Sequence, residues 1–249
     1  GADWSPRASH HFANFAFRYG IPVAAAFRRQ DAICNTCQVY AGQLGYGPNP
    51  KLQQRIRDAD LILAVGARLG EMTTGGYTLL KAPRPAQKLI HIHAGPEELG
   101  RVYAADLMLQ SAMACAAKAL EGLSPPPELP WTGWTADAHA DYEGNLVPTP
   151  VEPLDMAEVV KTIQRLAPPD SVLTNGAGNY SGWLHRYYRY PGLQQGGRTQ
   201  LAPTSGAMGY AVAAAVAAAL VRENAVPVVA LAGDGGFLMT SNELAVAAQ

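Results

Sequence analysis

Val228-Val229-Ala230-Leu231-Ala232-Gly233-Asp234-Gly235-Gly236-Phe237 is the stretch that decides how this chain is read. An unbroken apolar run of this length suits a fully buried strand, and the Gly-Asp-Gly-Gly that follows ends it in a turn. Strands buried on both faces belong to parallel sheets covered by helices. The carboxyl edge of such a sheet is where open α/β proteins bind ligands, so Asp234 is placed at a binding edge. The glycines permit unusual backbone angles and close approach of a phosphate. A carboxylate there suits a hard divalent cation such as Mg2+ shared with a diphosphate. On these residues alone, a tight strand-to-helix turn in which Asp234 caps backbone amides explains the pattern equally well. Thr240 and Glu243 have capping-box spacing, which predicts that the next helix starts there.

Two upstream loops have the same design. Thr174-Asn175-Gly176-Ala177-Gly178-Asn179-Tyr180 follows a short buried run and precedes a helical pattern, so its amides could cradle phosphate oxygens. Thr204-Ser205-Gly206-Ala207-Met208-Gly209 opens an Ala-rich helix in the same way. Residues 201–221 carry no charge, but the abundance of Ala, Gly and Ser there argues for a tightly buried helix lying close on a sheet rather than a membrane span.

The first half alternates in the same style. Helices are predicted around residues 12–19, 51–59 and 112–123, with strands at 21–27, 61–65, 89–93 and 106–110. Seven prolines between Ser124 and Pro153 predict a semi-rigid linker, with one turn of helix at most near 136–142. The fold class is therefore α/β: two doubly wound parallel-sheet domains joined by a Pro-rich linker. The expected divisions are residues 1–123, a linker at 124–153 and a second domain at 154–249.

Composition narrows the function classes. The chain has 249 residues, 48% of them hydrophobic and 16% charged, which excludes a disordered chain. A net charge of −1 offers no support for binding nucleic acid or an anionic membrane surface. Three cysteines make no disulfide framework, and Gly1-Ala2-Asp3-Trp4 shows no secretory leader, so a reducing, cytoplasmic setting is the expectation. Cys34-Asn35-Thr36-Cys37 has no second cysteine pair to complete a zinc site and reads as two incidental loop thiols. His91 and His93 share one strand face without a third ligand, which suits packing better than metal binding. The cluster His185-Arg186-Tyr187-Tyr188-Arg189-Tyr190 reads as a packed helix end.

Taken together, residues 156–249 resemble the diphosphate-binding domain of thiamine diphosphate-dependent enzymes of the acetolactate synthase, pyruvate oxidase and benzoylformate decarboxylase group. The residues that carry the likeness are Gly233-Asp234-Gly235-Gly236-Phe237-Leu238-Met239 and Glu243-Leu244-Ala245. The resemblance implies that Asp234 ligates Mg2+ and that Gly233, Gly235 and Gly236 lie beside the diphosphate. Gly178, Asn179 and Tyr180 match the family's Gly-Gln-His segment, with both polar side chains changed. Met208 matches the apolar residue that keeps the cofactor bent. The family's second metal ligand, an Asn beyond the matched stretch, and its activating Glu, in a pyrimidine-binding domain, are not in this sequence. No catalytic residue is therefore assigned, and the chain by itself is expected to be inactive.

Residues 1–123 resemble the middle domain of the same group. Phe27-Arg28-Arg29-Gln30-Asp31, Leu44-Gly45-Tyr46-Gly47-Pro48-Asn49-Pro50 and residues 59–69 carry this likeness, with Gly1 expected just after the domain's first strand. Some relatives bind flavin adenine dinucleotide (FAD) there. Only Arg68 keeps that reading open, and a purely structural middle domain is the other. The intact enzyme is expected to use thiamine diphosphate and Mg2+, to act on a small 2-oxo acid by decarboxylation or carboligation, and to assemble as a homodimer or homotetramer. A non-catalytic FAD- or ADP-binding module and a structural remnant are the alternatives from other classes.

Overall fold

A computed structural model describes residues 3–248. Gly1, Ala2 and Gln249, where the two expected domains begin and end, lie outside the described residues. The first half opens with α1 (Pro6–Tyr19), which starts on a Ser5 cap and stops at Gly20. Gly20 adopts φ 56°, a left-handed conformation that costs glycine little and lets its amide close the last turn. Then come β1 (Val23–Ala25), a single 3-10 turn at Gln30–Ala32, β2 (Tyr40–Gln43), α2 (Pro50–Asp58), β3 (Leu61–Val65), β4 (Lys88–His93), β5 (Leu107–Gln110) and α3 (Met113–Glu121). β1 pairs in parallel with β2, and β3, β4 and β5 form a parallel sheet in chain order. α1 and α3 pack together over that sheet, burying Ala8, Met113, Ala116 and Ala117 against Ile92.

β2 escapes the sequence pattern. Its Tyr-Ala-Gly-Gln residues are all buried, yet they contain neither β-branched residues nor alternation.

The Pro-rich stretch corrects a larger expectation. It contains a 14-residue helix, α4 (Thr132–Asn145), instead of an isolated turn. α4 buries only Thr135, Ala138 and Tyr142, spaced three and four apart, and its two glycines weaken the helical signal. It packs on β2 and α2. Tyr142 meets Tyr40 edge-on at 4.8 Å, and Trp131 donates to the Tyr19 carbonyl at 2.8 Å. Asp141 accepts from Lys51 at 2.7 Å and from Arg55 Nε and Nη2 at 2.9 and 2.6 Å. This stretch is thus docked on the first half.

The second half contains α5 (Met156–Leu166), β6 (Val172–Asn175), α6 (Ser181–Tyr187), α7 (Leu193–Gly196), β7 (Gln200–Leu201), α8 (Tyr210–Val221), β8 (Val228–Leu231), α9 (Asp234–Thr240) and α10 (Leu244–Ala247). The parallel sheet runs β7-β6-β8, with β6 fully buried at its centre. The two halves together are parallel sheets flanked by helices, an α/β architecture.

Two details differ from the sequence reading. α8 is not buried all round: Ala211, Val212 and Ala218 are buried on β6 and β8, while Leu220 and Val221 are 58% and 81% exposed. Among the described residues β8 is an edge strand, and α9 and α10 bury none of their residues. The helix after β8 begins at Asp234 rather than at Thr240, whose hydroxyl instead donates to the Gly209 carbonyl at 2.8 Å. A tertiary acceptor thus replaces the local cap.

A buried polar seam joins the halves. Asp31, fully buried, accepts from Arg198 Nη1 and from the amides of Thr199 and Gln200, each at 3.2 Å. Burial pushes its carboxyl up, against the opposing pull of Arg198 and those amides. Gln30 and Gln200 exchange two bonds, Gln30 N to Gln200 Oε1 at 2.7 Å and Gln200 Nε2 to Gln30 Oε1 at 3.0 Å. Asn35 pairs with Tyr190 through both backbone and side chain at 2.9 Å.

Asp31→Ala should therefore destabilise the chain by about 3–5 kcal/mol in urea unfolding, because it leaves Arg198 and two amides without their acceptor. Arg198→Met should cost a similar amount, and the double variant less than the sum; strictly additive costs would refute the coupling.

The seam is not the only charged contact with a measurable consequence. Lys51, then Arg55, holds the Asp141 carboxyl below its ordinary value. Its stabilisation is complete above the usual carboxylate range and is lost as pH falls through the lower folded value. Asp141→Asn should cost about 1 kcal/mol at pH 7 and progressively less toward pH 3, measured as the difference in melting free energy from the parent chain.

Candidate functional site

The site grows from the carboxyl ends of β7, β6 and β8. Because these strands are parallel, the loops at 202–209, 176–180 and 232–236 leave from one edge of the sheet. All eight residues singled out in the second half sit on those loops or just inside the following helix. Hydrogen bonds lock the three together. The Gly176 amide donates to the Leu231 carbonyl at 3.1 Å, tying the first loop to β8. Thr174 Oγ1 donates to the Ala211 carbonyl at 2.8 Å, tying β6 to the start of α8.

The loop after β7 lies against the start of α9. A Cβ added at Gly235 would meet the Met208 methyl at 3.4 Å, and one at Gly236 would meet the Gly209 amide nitrogen at 3.6 Å. Gly209 has φ 81°, the left-handed conformation a glycine supplies where the chain turns into α8. Met208 is 56% exposed, so it is a lining residue of an open surface and not a core methionine. Asp234 is exposed in the first turn of α9, and no ion pair or side-chain hydrogen bond engages it among the described residues.

Gly178, Asn179 and Tyr180 divide their roles. The Tyr180 side chain lies across Gly176, Gly178 and Gly233: an added Cβ would stand 2.4 Å from its hydroxyl at Gly176, and 2.5 and 3.1 Å from its ring at Gly178 and Gly233. It therefore fills the side of this loop where the glycines lack side chains. Asn179 Oδ1 accepts from the Tyr46 hydroxyl at 2.6 Å, a contact from the first half that the sequence did not assign. Its only trace is the glycine-flanked aromatic in Gly45-Tyr46-Gly47. Below the loop, Asn175 Oδ1, Ser181 Oγ and His185 Nε2 are buried without a protein partner. Burial, then Arg28, pushes the His185 imidazole down to about 3, so it is neutral.

The side-chain set fits a diphosphate–cation pair. Among the described residues no group of three or more His, Cys, Asp or Glu could hold a metal by itself. One free carboxylate beside a glycine backbone leaves most positions of an octahedral cation open to phosphate and water oxygens, the usual mode for Mg2+.

In the first half, Arg68, Tyr77, His91, Glu98, Arg101 and Tyr103 border a cavity of about 170 Å³. Glu98, nearly buried, pairs with Arg68 at 3.3 Å and Arg101 at 3.1 Å. His91 Nε2 lies 3.0 Å from the Ala67 carbonyl, and burial lowers its imidazole. Cys34 is buried and Cys37 half-buried in a turn. Hydrogen bonding from Cys37 brings the Cys34 thiol down to about 5, and the same contact raises Cys37. No helix of the described residues is long and apolar enough to cross a membrane.

Two family models account for most of the chain. The thiamine pyrophosphate enzyme central domain matches residues 1–122, and the C-terminal TPP binding domain of the same enzymes matches residues 176–249. The chain belongs to the thiamine pyrophosphate enzyme family. Its TPP-binding-domain match contains all the glycine-bearing loops described above. Among curated relatives, an acetolactate synthase of Mycobacterium avium is 28% identical over 97% of this chain and 39% of its own length. Acetolactate synthase isozyme 2 large subunit of Escherichia coli is 27% identical over 90% of this chain and 39% of its own. A chloroplastic acetolactate synthase 2 of Nicotiana tabacum is 25% identical over 96% and 36%. The chain thus spans about two fifths of the length of the relatives it matches.

The packing of Tyr180 makes a local test possible. Gly178→Ala should lower the melting temperature, because its Cβ would overlap the Tyr180 ring, at a cost of about 1–3 kcal/mol. Adding Tyr180→Ala should recover most of that loss; no recovery would refute the contact.

Proposed function

We propose that this chain supplies the diphosphate and metal anchor of an acetolactate-synthase-like enzyme that acts on 2-oxo acids by decarboxylation or carboligation, with thiamine diphosphate and Mg2+ as cofactors. The observation that carries this reading is the convergence of three glycine-bearing loops on one sheet edge around an unpaired Asp234. Asp234 would hold Mg2+, and Gly233, Gly235 and Gly236 would let the diphosphate approach the backbone. Gly178, Asn179 and Tyr180 would close the other side, and Met208 would prop the cofactor from the β7 loop. When bound, thiamine diphosphate supplies the electron sink for breaking the bond between the carboxylate and the carbonyl carbon.

Residues 1–123 are proposed as a structural domain, with 124–153 as the connection to the domain at 154–249. Arg68 is already paired with Glu98, which favours this over FAD binding. No side chain here is proposed as the proton-transferring group, so the chain alone should turn over no pyruvate. A homo-oligomeric, cytoplasmic whole protein completes the reading.

Titration calorimetry should detect thiamine diphosphate only with Mg2+ present, and Asp234→Ala should weaken binding by about tenfold or more, the scale of one lost charge-assisted ligand. Unchanged binding in the variant would refute the metal assignment.

A further inference from the structure

A cavity of about 380 Å³ opens beside β7. Arg29 reaches it from the first half, while Arg198, Pro203, Thr204, Ser205 and Tyr210 border it from the second. Its polar wall carries two guanidinium groups and three hydroxyls, and the remainder is small and apolar.

The two arginines are not equivalent. Arg198 is committed to the seam, where it donates to Asp31 at 3.2 Å. Asp31 also accepts from the Thr199 and Gln200 amides, so its oxygens are largely taken. Arg29 makes no ion pair among the described residues, and its one side-chain hydrogen bond is a long 3.4 Å contact to the Arg28 carbonyl. Burial, and then the like charge of Arg198, disfavours its charged form, and the Asp31 carboxylate, already engaged by Arg198 and two amides, offsets this only in part. A half-buried guanidinium with most of its five donors unused and a second cation nearby is costly unless an anion completes it.

We propose that this cavity is a binding site for a small organic anion, a carboxylate or phosphate ester, held by Arg29 and the hydroxyls of Thr204 and Ser205 with its carbon body against Pro203. Its volume exceeds what an inorganic ion needs, and its apolar portion suits a short carbon chain. Arg29 is the recognition group because its donors are free, whereas Arg198 serves to hold Asp31. The site is distinct from the Asp234 edge and stands independently of the cofactor reading. It shares only the β7 loop that also carries Met208.

Calorimetric titration of the full chain with succinate, glycerol 3-phosphate, inorganic phosphate and the neutral succinamide tests the site. Succinate or glycerol 3-phosphate should bind, with affinity falling as salt rises, and succinamide should not. The tighter of the two identifies the carboxylate or the phosphate class. Arg29→Gln should weaken that binding about tenfold or more while the chain stays folded, its melting temperature lowered only slightly by the loss of a positive charge near Asp31. Arg29→Lys should restore part of it. Asp234→Ala should leave anion binding intact, which separates failure of this site from failure of the cofactor site. The proposal is overturned if succinamide binds as well as succinate, if neither organic anion binds more tightly than inorganic phosphate, if Arg29→Gln binds unchanged, or if thiamine diphosphate with Mg2+ displaces the anion competitively.

Discussion

The burial of Asp31 between the two halves is the constraint on which the remaining arrangement depends. A carboxylate removed from water is tolerated only when several donors replace the lost hydration. Here Arg198 and the amides of Thr199 and Gln200 do so, all from the strand-forming segment of the second half. That requirement sets the position of β7 against the turn at Gln30–Ala32. The Gln30–Gln200 and Asn35–Tyr190 pairs extend the same seam, and each is directional where an apolar contact would slide. Arg28 lies within it at φ 55°, a left-handed conformation uncommon outside glycine and asparagine, with its guanidinium donating to the Pro203 carbonyl.

Placing β7 in this way positions the loop that follows it. The loop carries Thr204 and Ser205 to the cavity at Arg29, then Met208 to the start of α9, and its Gly209 carbonyl accepts from Thr240. One segment therefore communicates with the seam, the anion cavity and the Asp234 edge. Tyr46 adds a second bridge by donating to Asn179. The first half thus positions loops of the second half, a role that needs no ligand of its own.

Much of the architecture was legible in the pattern of residues. The apolar runs at 61–65 and 228–232 and the helical spacing at 12–19 lie where strands and a helix form, because apolar residues recur with the period of the element that packs them. The four-residue strand at Tyr40–Gln43 and the helix at Thr132–Asn145 were not legible. Their burial comes from neighbours distant in sequence, and their own residues have weak propensity for the structure they adopt. The glycine loops could be placed at the strand ends. The occupation of one of them by the Tyr180 ring could not be anticipated, since it depends on a side-chain orientation.

By itself, the sequence determined the alternation of strands and helices, the parallel class of the sheets and the placing of Asp234 at a strand's carboxyl end. Those features are local: they follow from hydrophobic period and from where glycine permits a turn. Only the tertiary structure decided that Asp31 meets Arg198 across 167 residues of chain, that Arg29 is left with free donors beside a cavity, and that Thr240 bonds Gly209 in place of capping a helix. Those outcomes depend on which donors remain unsatisfied once the halves are docked, and desolvation of a charge is felt only when the surrounding chain has closed around it.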